Sequence, residues 1–237
     1  MTDKGLIRPH NEDSYYSFGN DLYCYGLVAD GMGGHLAGEV ASRIAIFEIK
    51  EYIRKNMNSR LDYVEASEVV RRAFITANSV IYQYAEKNLK VMGMGTTATF
   101  AMVYKGKLIT ANVGDSRTYI VKDEKIKQIT KDHSYVAELV ARGEITPEQA
   151  KQHPKRNYIT RAMGTEETVK VDIEINDYNN ETILLCSDGL SNMVTDSEMH
   201  SIVKNRRNLR NCAKRLVKLA NIRGGKDNIT VVLYRRF

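Results

Sequence analysis

Four aspartates in this sequence stand where β-rich runs end, each beside a small or turn-forming residue. They are Asp30 in Val28-Ala29-Asp30-Gly31-Met32-Gly33-Gly34-His35, Asp115 in Asn112-Val113-Gly114-Asp115-Ser116-Arg117, Asp188 in Leu185-Cys186-Ser187-Asp188-Gly189, and Asp227 in Gly225-Lys226-Asp227-Asn228-Ile229. Taken singly, each reads as a turn, because Asp-Gly and Gly-Asp are common turn dipeptides. Taken together, four such strand ends can point into one cleft. Two carboxylates about 4 Å apart repel by roughly 4 kcal/mol at an effective dielectric near 20. Several such pairs would offset most of a domain's net stability of about 5–15 kcal/mol. A converged cluster therefore demands a divalent cation or protonation. Oxygen donors without His or Cys suit Mg2+ or Mn2+ and argue against zinc. Ion pairs roughly 3.5–4 Å apart are typical of phosphate-ester hydrolases, in which a metal-bound water becomes the nucleophile.

The stretch Gly5-Leu6-Ile7-Arg8-Pro9-His10-Asn11-Glu12-Asp13 sets an arginine four residues before a Glu-Asp pair. A guanidinium fork matches phosphate oxygens, so Arg8 is a candidate substrate clamp. An Arg followed by acids is also the pattern of a surface ion pair.

The elements that must position these residues follow from periodicity. Residues 22–29 form an apolar, β-rich run ending in Asp30-Gly31. Helical spacing covers 36–54 and 64–86, the second with Val69, Ala73, Ala77, Val80, Ile81 and Tyr84 on one face. Short strand-like runs follow at 97–104, 107–113, 118–121 and 125–129, with turns at Lys105-Gly106 and Asp123-Glu124. An irregular helical insertion spans 134–161, with a short helix over 135–141, a stop at Gly143 and Pro147 at the first position of another helix. Insertions of this kind are often mobile and substrate-facing. Strands return at 169–175, 182–186 and 229–234, with helices at 196–205 and 209–222 between the last two. This order fits neither βαβ alternation nor an all-β chain. It fits an α+β, four-layer α-β-β-α sandwich, two antiparallel sheets flanked by helix pairs.

At 237 residues with 43% apolar and 27% charged side chains, the chain is long enough for one core and has a globular balance, so residues 1–237 are expected to form a single domain. No apolar run approaches the roughly 20 residues of a membrane span, and the first residues lack the basic-then-apolar order of a secretory signal. A cytoplasmic protein is expected, with no membrane partner. Cys24, Cys186 and Cys212 are odd in number and without paired spacing, which suggests no disulfide framework or zinc site, and Cys24 and Cys186 sit in apolar, strand-like runs where buried thiols are expected. Net charge is +6, and the basic run of Lys204, Arg206, Arg207, Arg210, Lys214, Arg215 and Lys218 alternates with apolar residues at three and four. That is a solvated helix face; without an aromatic platform it does not indicate nucleic-acid binding. The sequons at Asn180 and Asn228 carry no meaning without a secretory route.

The sequence resembles the metal-dependent protein phosphatase family (protein phosphatase 2C-like), and most of all its bacterial members. Thr2-Asp3-Lys4-Gly5 with Arg8 and Asn11-Glu12-Asp13 match its motifs, as do Asp30-Gly31-Met32-Gly33-Gly34-His35 with Gly38-Glu39, and Gly95-Thr96-Thr97. So do Asn112-Val113-Gly114-Asp115-Ser116-Arg117, Thr130-Lys131-Asp132-His133-Ser134, Ile159-Thr160-Arg161-Ala162-Met163-Gly164, Ser187-Asp188-Gly189 and Asp227-Asn228-Ile229-Thr230, all in family order across nearly the whole chain. The resemblance implies a phosphoserine/phosphothreonine protein phosphatase with two Mn2+ or Mg2+ ions and direct attack by metal-bound water. Asp30 would bridge the ions, the Gly31 carbonyl would ligate one, and Asp188 and Asp227 would complete the first site. Glu12 and Asp13 would support the sites, Asp115 with Asp188 would hold a weaker third ion, and Arg8 would bind the substrate phosphate. Residues 134–161 would be the family's flap. The expected partners are phosphoproteins, a cognate Ser/Thr kinase among them, and the expected state is a monomer. Two departures stand out. Met32 occupies the place of a histidine proposed as general acid in eukaryotic relatives, with His35 as a candidate catalytic substitute or a surface turn residue. The family's opening strand is also short here. The sporulation and stress-regulator branch and a catalytically silent regulator are the competing readings. The full insertion and the intact Asp30, Asp188 and Asp227 disfavour them.

Overall fold

A computed structural model describes residues 1–33, 37–204 and 208–236 of the chain. In order, its elements are β1 (Thr2–Asp3), β2 (Asp13–Gly19), β3 (Tyr23–Met32), α1 (Ala37–Asn56), α2 (Tyr63–Lys87), β4 (Gly95–Thr96), β5 (Ala98–Tyr104), β6 (Lys107–Val113), β7 (Arg117–Val121) and β8 (Ile126–Gln128). There follow α3 (Tyr135–Ala141), α4 (Pro147–Gln152), β9 (Asp172–Asp177), β10 (Thr182–Cys186), α5 (Asp188–Ser191), α6 (Asp196–Val203), α7 (Leu209–Ile222) and β11 (Ile229–Tyr234). One sheet runs β2-β3-β5-β6-β9, with β4 also on β3; the other runs β1-β11-β10-β7-β8, and every pairing is antiparallel. Helices α1 and α2 cover the first sheet and α6 and α7 the second, which makes the four layers expected from the sequence.

The central strands are apolar on both faces because both faces are covered. Along β3, Leu27 enters the helix-side core and Val28 the layer between the sheets; along β10, Leu184 and Cys186 face the helices while Ile183 and Leu185 face the opposite sheet. This double burial is why these runs read as continuous rather than alternating. Buried hydroxyl pairs cross between the sheets, Thr97 to Ser116 at 2.7 Å and Thr99 to Thr118 at 2.8 Å. The sheets approach so closely at Gly26 that a Cβ there would lie 2.9 Å from Val232 Cγ1.

Helix α2 starts where its chemistry says it should. Asp62 accepts from Val64 and Glu65 N–H at 2.7 and 2.8 Å, while Glu65 accepts from Asp62 N–H, a capping box. Its buried stripe is Ala66, Val70, Ala73, Ala77 and Ile81; Tyr84, expected on that face, is instead 44% exposed. On α7, Ala213, Leu216, Val217 and Ala220 are buried and Arg210, Lys214, Arg215 and Lys218 are solvated, as the spacing predicts. Arg206 and Arg207 lie outside the described residues. All three cysteines are free thiols; Cys186 is buried as expected and Cys212 is buried too, whereas Cys24, near the start of β3, is only half-buried. No helix among the described residues is long and apolar enough to cross a membrane.

Candidate metal centre

The acidic residues gather at one end of the two sheets. Asp30 lies near the end of β3 with Asp13 directly opposite it on β2. The pair is a non-hydrogen-bonded one, since Gly31 N–H donates to the Glu12 carbonyl at the neighbouring pair, so the two side chains start close together. Asp115 follows Gly114 in the β6–β7 loop, Asp188 opens α5 immediately after β10, and Asp227 sits in the turn before β11.

These carboxylates feel one another. Burial pushes Asp30 well above the usual carboxylate range, and Asp13, Asp188, Asp115 and Asp227 push it further. Asp13 rises to about 7, through burial first and then Asp188 and Asp227, although the hydroxyls of Thr230 and Ser187 oppose the rise. Asp115 rises to about 8 through burial, Asp188 and Asp132; Asp188 rises to about 6 through burial and Asp227. Glu12 is also raised, mainly by burial, with Arg8 pulling the other way. Asp13 Oδ1 and Asp115 Oδ1 are buried without a hydrogen-bond partner. Protonation or a hard divalent ion relieves such a group of acids, and the oxygen donors present fit an ion of that kind.

The acids do not close into a cage. Among the described residues, no three His, Cys, Asp or Glu side chains surround a common point. Arg8 Nη2 donates to Asp227 Oδ2 at 2.7 Å, with half of the Arg8 side chain exposed. Of the residues expected at this site, Asp13, Asp30, Asp115, Asp188 and Asp227 lie near enough to raise one another, Arg8 bonds Asp227 and acts on Glu12, and Gly31 N–H donates to the Glu12 carbonyl; His35 lies outside the described residues.

Backbone geometry holds the segments that carry the acids. Gly31 permits a close approach, since a Cβ there would meet the Gly38 carbonyl oxygen at 2.0 Å and the Glu12 carbonyl oxygen at 2.7 Å. Gly114 has a φ of +103°, and its N–H donates to His133 Nδ1 at 3.0 Å. The opposite nitrogen, Nε2, lies 3.0 Å from Asp172 Oδ2 and 2.9 Å from Arg161 Nη1, which itself donates to Asp172 Oδ1 at 2.7 Å. The His133 carbonyl accepts from Thr160 N–H, so the Asp115 loop is tied to the base of the 134–161 insertion, which a bridge between Ser134 and Ile159 closes.

The sequence reading missed the residue that binds this site together. Asn228 is 4% exposed; its Oδ1 accepts from Glu12 N–H at 2.8 Å, and its Nδ2 donates to the carbonyls of Lys4 and His10 at 2.9 Å each. Ser187 Oγ likewise donates to Asp13 Oδ2 at 2.7 Å. Both residues stood inside the quoted motifs, but only an argument about buried donors would have singled them out.

A protein phosphatase 2C family model matches residues 9–221. The chain belongs to the protein phosphatase 2C family. It is 43% identical to the serine/threonine phosphatase stp of Listeria welshimeri, over 99% of this chain and 94% of that one, and 36% identical to the protein phosphatase PhpP of Streptococcus pneumoniae, over 98% and 94%. Its structure is similar to that of serine/threonine phosphatase Stp1 from Staphylococcus aureus, with a TM-score of 0.92 and 38% identity over 100% of this chain and 93% of that one. A PstP catalytic domain solved with two manganese ions superimposes with a TM-score of 0.83 at 35% identity, covering 98% and 94%. Family membership makes the chain a metal-dependent protein phosphatase.

Proposed function

We propose that the acidic cluster is the dinuclear Mn2+ or Mg2+ centre of a serine/threonine phosphoprotein phosphatase. Asp30, the Gly31 carbonyl, Asp188 and Asp227 would ligate the two ions, Glu12 and Asp13 would support them, and Asp115 with Asp188 would take a weaker third. The observation that carries this reading is the mutual elevation of Asp13, Asp30, Asp115 and Asp188 in one cluster with partnerless buried oxygens. When bound, the ions supply a nucleophile at neutral pH and positive charge against the phosphoryl oxygens. The protein's own residues do the rest. Arg8 turns its fork from Asp227 to the substrate phosphate, orienting it against the acidic cluster. Asn228 fixes the segment that carries Arg8 and Glu12, while His133 fixes the loop that carries Asp115. Residues 134–161, the flap, border the site and bear on substrate choice. We place this activity in the cytoplasm, in a monomer acting against the products of a Ser/Thr kinase.

The test is hydrolysis of a phosphoserine peptide with Mn2+ and with chelator. Asp188→Asn is expected to lower kcat/KM about a hundredfold or more, and Arg8→Ala to raise KM. Turnover that is indifferent to chelator and to Asp188→Asn overturns the reading.

A further inference from the structure

A groove of about 690 Å³ has Asp13, a member of the acidic cluster, in its lining. One wall is α1, which presents Glu39, Arg43, Phe47 and Lys50, spaced four, four and three apart and so on one helix face. The other wall is the N-terminal segment, including Lys4, Pro9 and His10, the last two directly following Arg8.

Ser14 and Tyr15 of β2 line its floor. Among the described residues, β2 pairs with β3 alone, so its other edge has no strand beside it. The Gly31-to-Glu12 hydrogen bond sets the alternation along this strand: Ser14, Tyr16 and Phe18 bond inward to β3, and Tyr15 and Ser17 turn their N–H and C=O outward. Exposed edges are usually blunted with charge or proline. Residues 14–19 (Ser-Tyr-Tyr-Ser-Phe-Gly) contain neither, and Tyr15 and Phe47 stay 41% and 56% exposed. The cations are placed to meet an anionic strand. Lys50 Nζ is held 5.4 Å from the ring centroids of both Tyr16 and Phe47, and Arg43, largely exposed, reaches Glu39 at 2.7 Å.

We infer that this groove receives the stretch of phosphoprotein beside the phosphorylated residue. It binds as an extended strand on the outer edge of β2, and Arg43, Lys50 and Lys4 select acidic side chains within it. Strand addition gives main-chain hydrogen bonds that are blind to sequence, and the walls supply the discrimination. The inference rests on the phosphatase reading of the acidic cluster, with which the groove shares Asp13.

Three substrates separate groove from catalytic centre: a small aryl phosphate, a phosphoserine peptide with glutamates on both sides, and the same peptide with glutamines. Wild type is expected to prefer the acidic peptide, and the preference to shrink at high salt. The double variant Arg43→Glu, Lys50→Glu should raise KM for the acidic peptide about tenfold with kcat unchanged and erase the preference. Ser17→Pro, tolerated on an edge, should raise KM for both peptides. Aryl phosphate hydrolysis should stay the same in all variants. Peptide binding by fluorescence polarisation on an Asp188→Asn background reads the groove independently of turnover. An acidic preference that survives the double variant overturns the inference. So does unaltered peptide affinity in Ser17→Pro, or a sedimentation result in which two copies of the chain bury the β2 edges against each other.

Discussion

At Asp188, function and stability pull in opposite directions. Burial and Asp227 hold its carboxyl near 6, so the charged form is strained whenever no cation is present. Asp188→Asn removes that charge. The expected outcome is a large loss of phosphatase activity together with an unchanged or raised unfolding midpoint in chelator, measured by urea titration. Asn228 is the reverse case. It makes no contact with phosphate, yet Asn228→Ala strands the Glu12 N–H and the Lys4 and His10 carbonyls. Leaving such groups unsatisfied costs about 1–3 kcal/mol each where they are buried, so a destabilisation of about 3 kcal/mol is expected, with Mn2+ affinity falling alongside. Isothermal titration of the metal against the wild type checks the second part.

Elements were legible to the degree that their pattern was one-sided or strongly punctuated. Strands β6, β10 and β11, and helices α3 and α7, have the limits that turn residues and apolar runs predict, and Thr146-Pro147 opens α4 with a capping box. Strand β2 was not seen. Its sequence, Asp-Ser-Tyr-Tyr-Ser-Phe-Gly, lacks a continuous apolar run because the strand is an edge with half its side chains in solvent. Helix α5 was missed because four residues are too few for any periodicity. The converging aspartates were visible as strand-end residues, but their common end of the sheets was only a possibility until the pairing of β2 with β3 and of β10 with β11 was known. The close contact of the sheets was invisible, since Gly26 in Tyr25-Gly26-Leu27 looks like a weakened strand residue. Gly26→Val should destabilise by about 1–3 kcal/mol or more, by overpacking against Val232, Tyr234 and Leu185; thermal unfolding against a Gly26→Ala control checks it.

For the whole molecule, the raised carboxyls set the pH response. Asp188, Asp13 and Asp115 stay protonated in the folded chain up to about 6, 7 and 8, against unfolded values near 3.9. Between those limits the folded state binds more protons than the unfolded one, so these groups make the metal-free chain lose stability as pH rises from about 4 to 8. Urea midpoints in chelator should fall from pH 5 to pH 8. Mn2+ at a hundred times its dissociation constant should add about 2.7 kcal/mol and flatten the decline, because binding expels the same protons. A flat metal-free profile contradicts this account.

The knot made by Asn228 has a temporal meaning. It joins residues more than 210 positions apart, and Arg8 meets Asp227 across 219. During synthesis, the early strands and both long helices of the first sheet emerge well before this asparagine exists. Long-range closures of this kind come late in folding. A nascent chain on the ribosome thus carries most of its scaffold while remaining unable to act on phosphoproteins, and competence arrives only with the final strand.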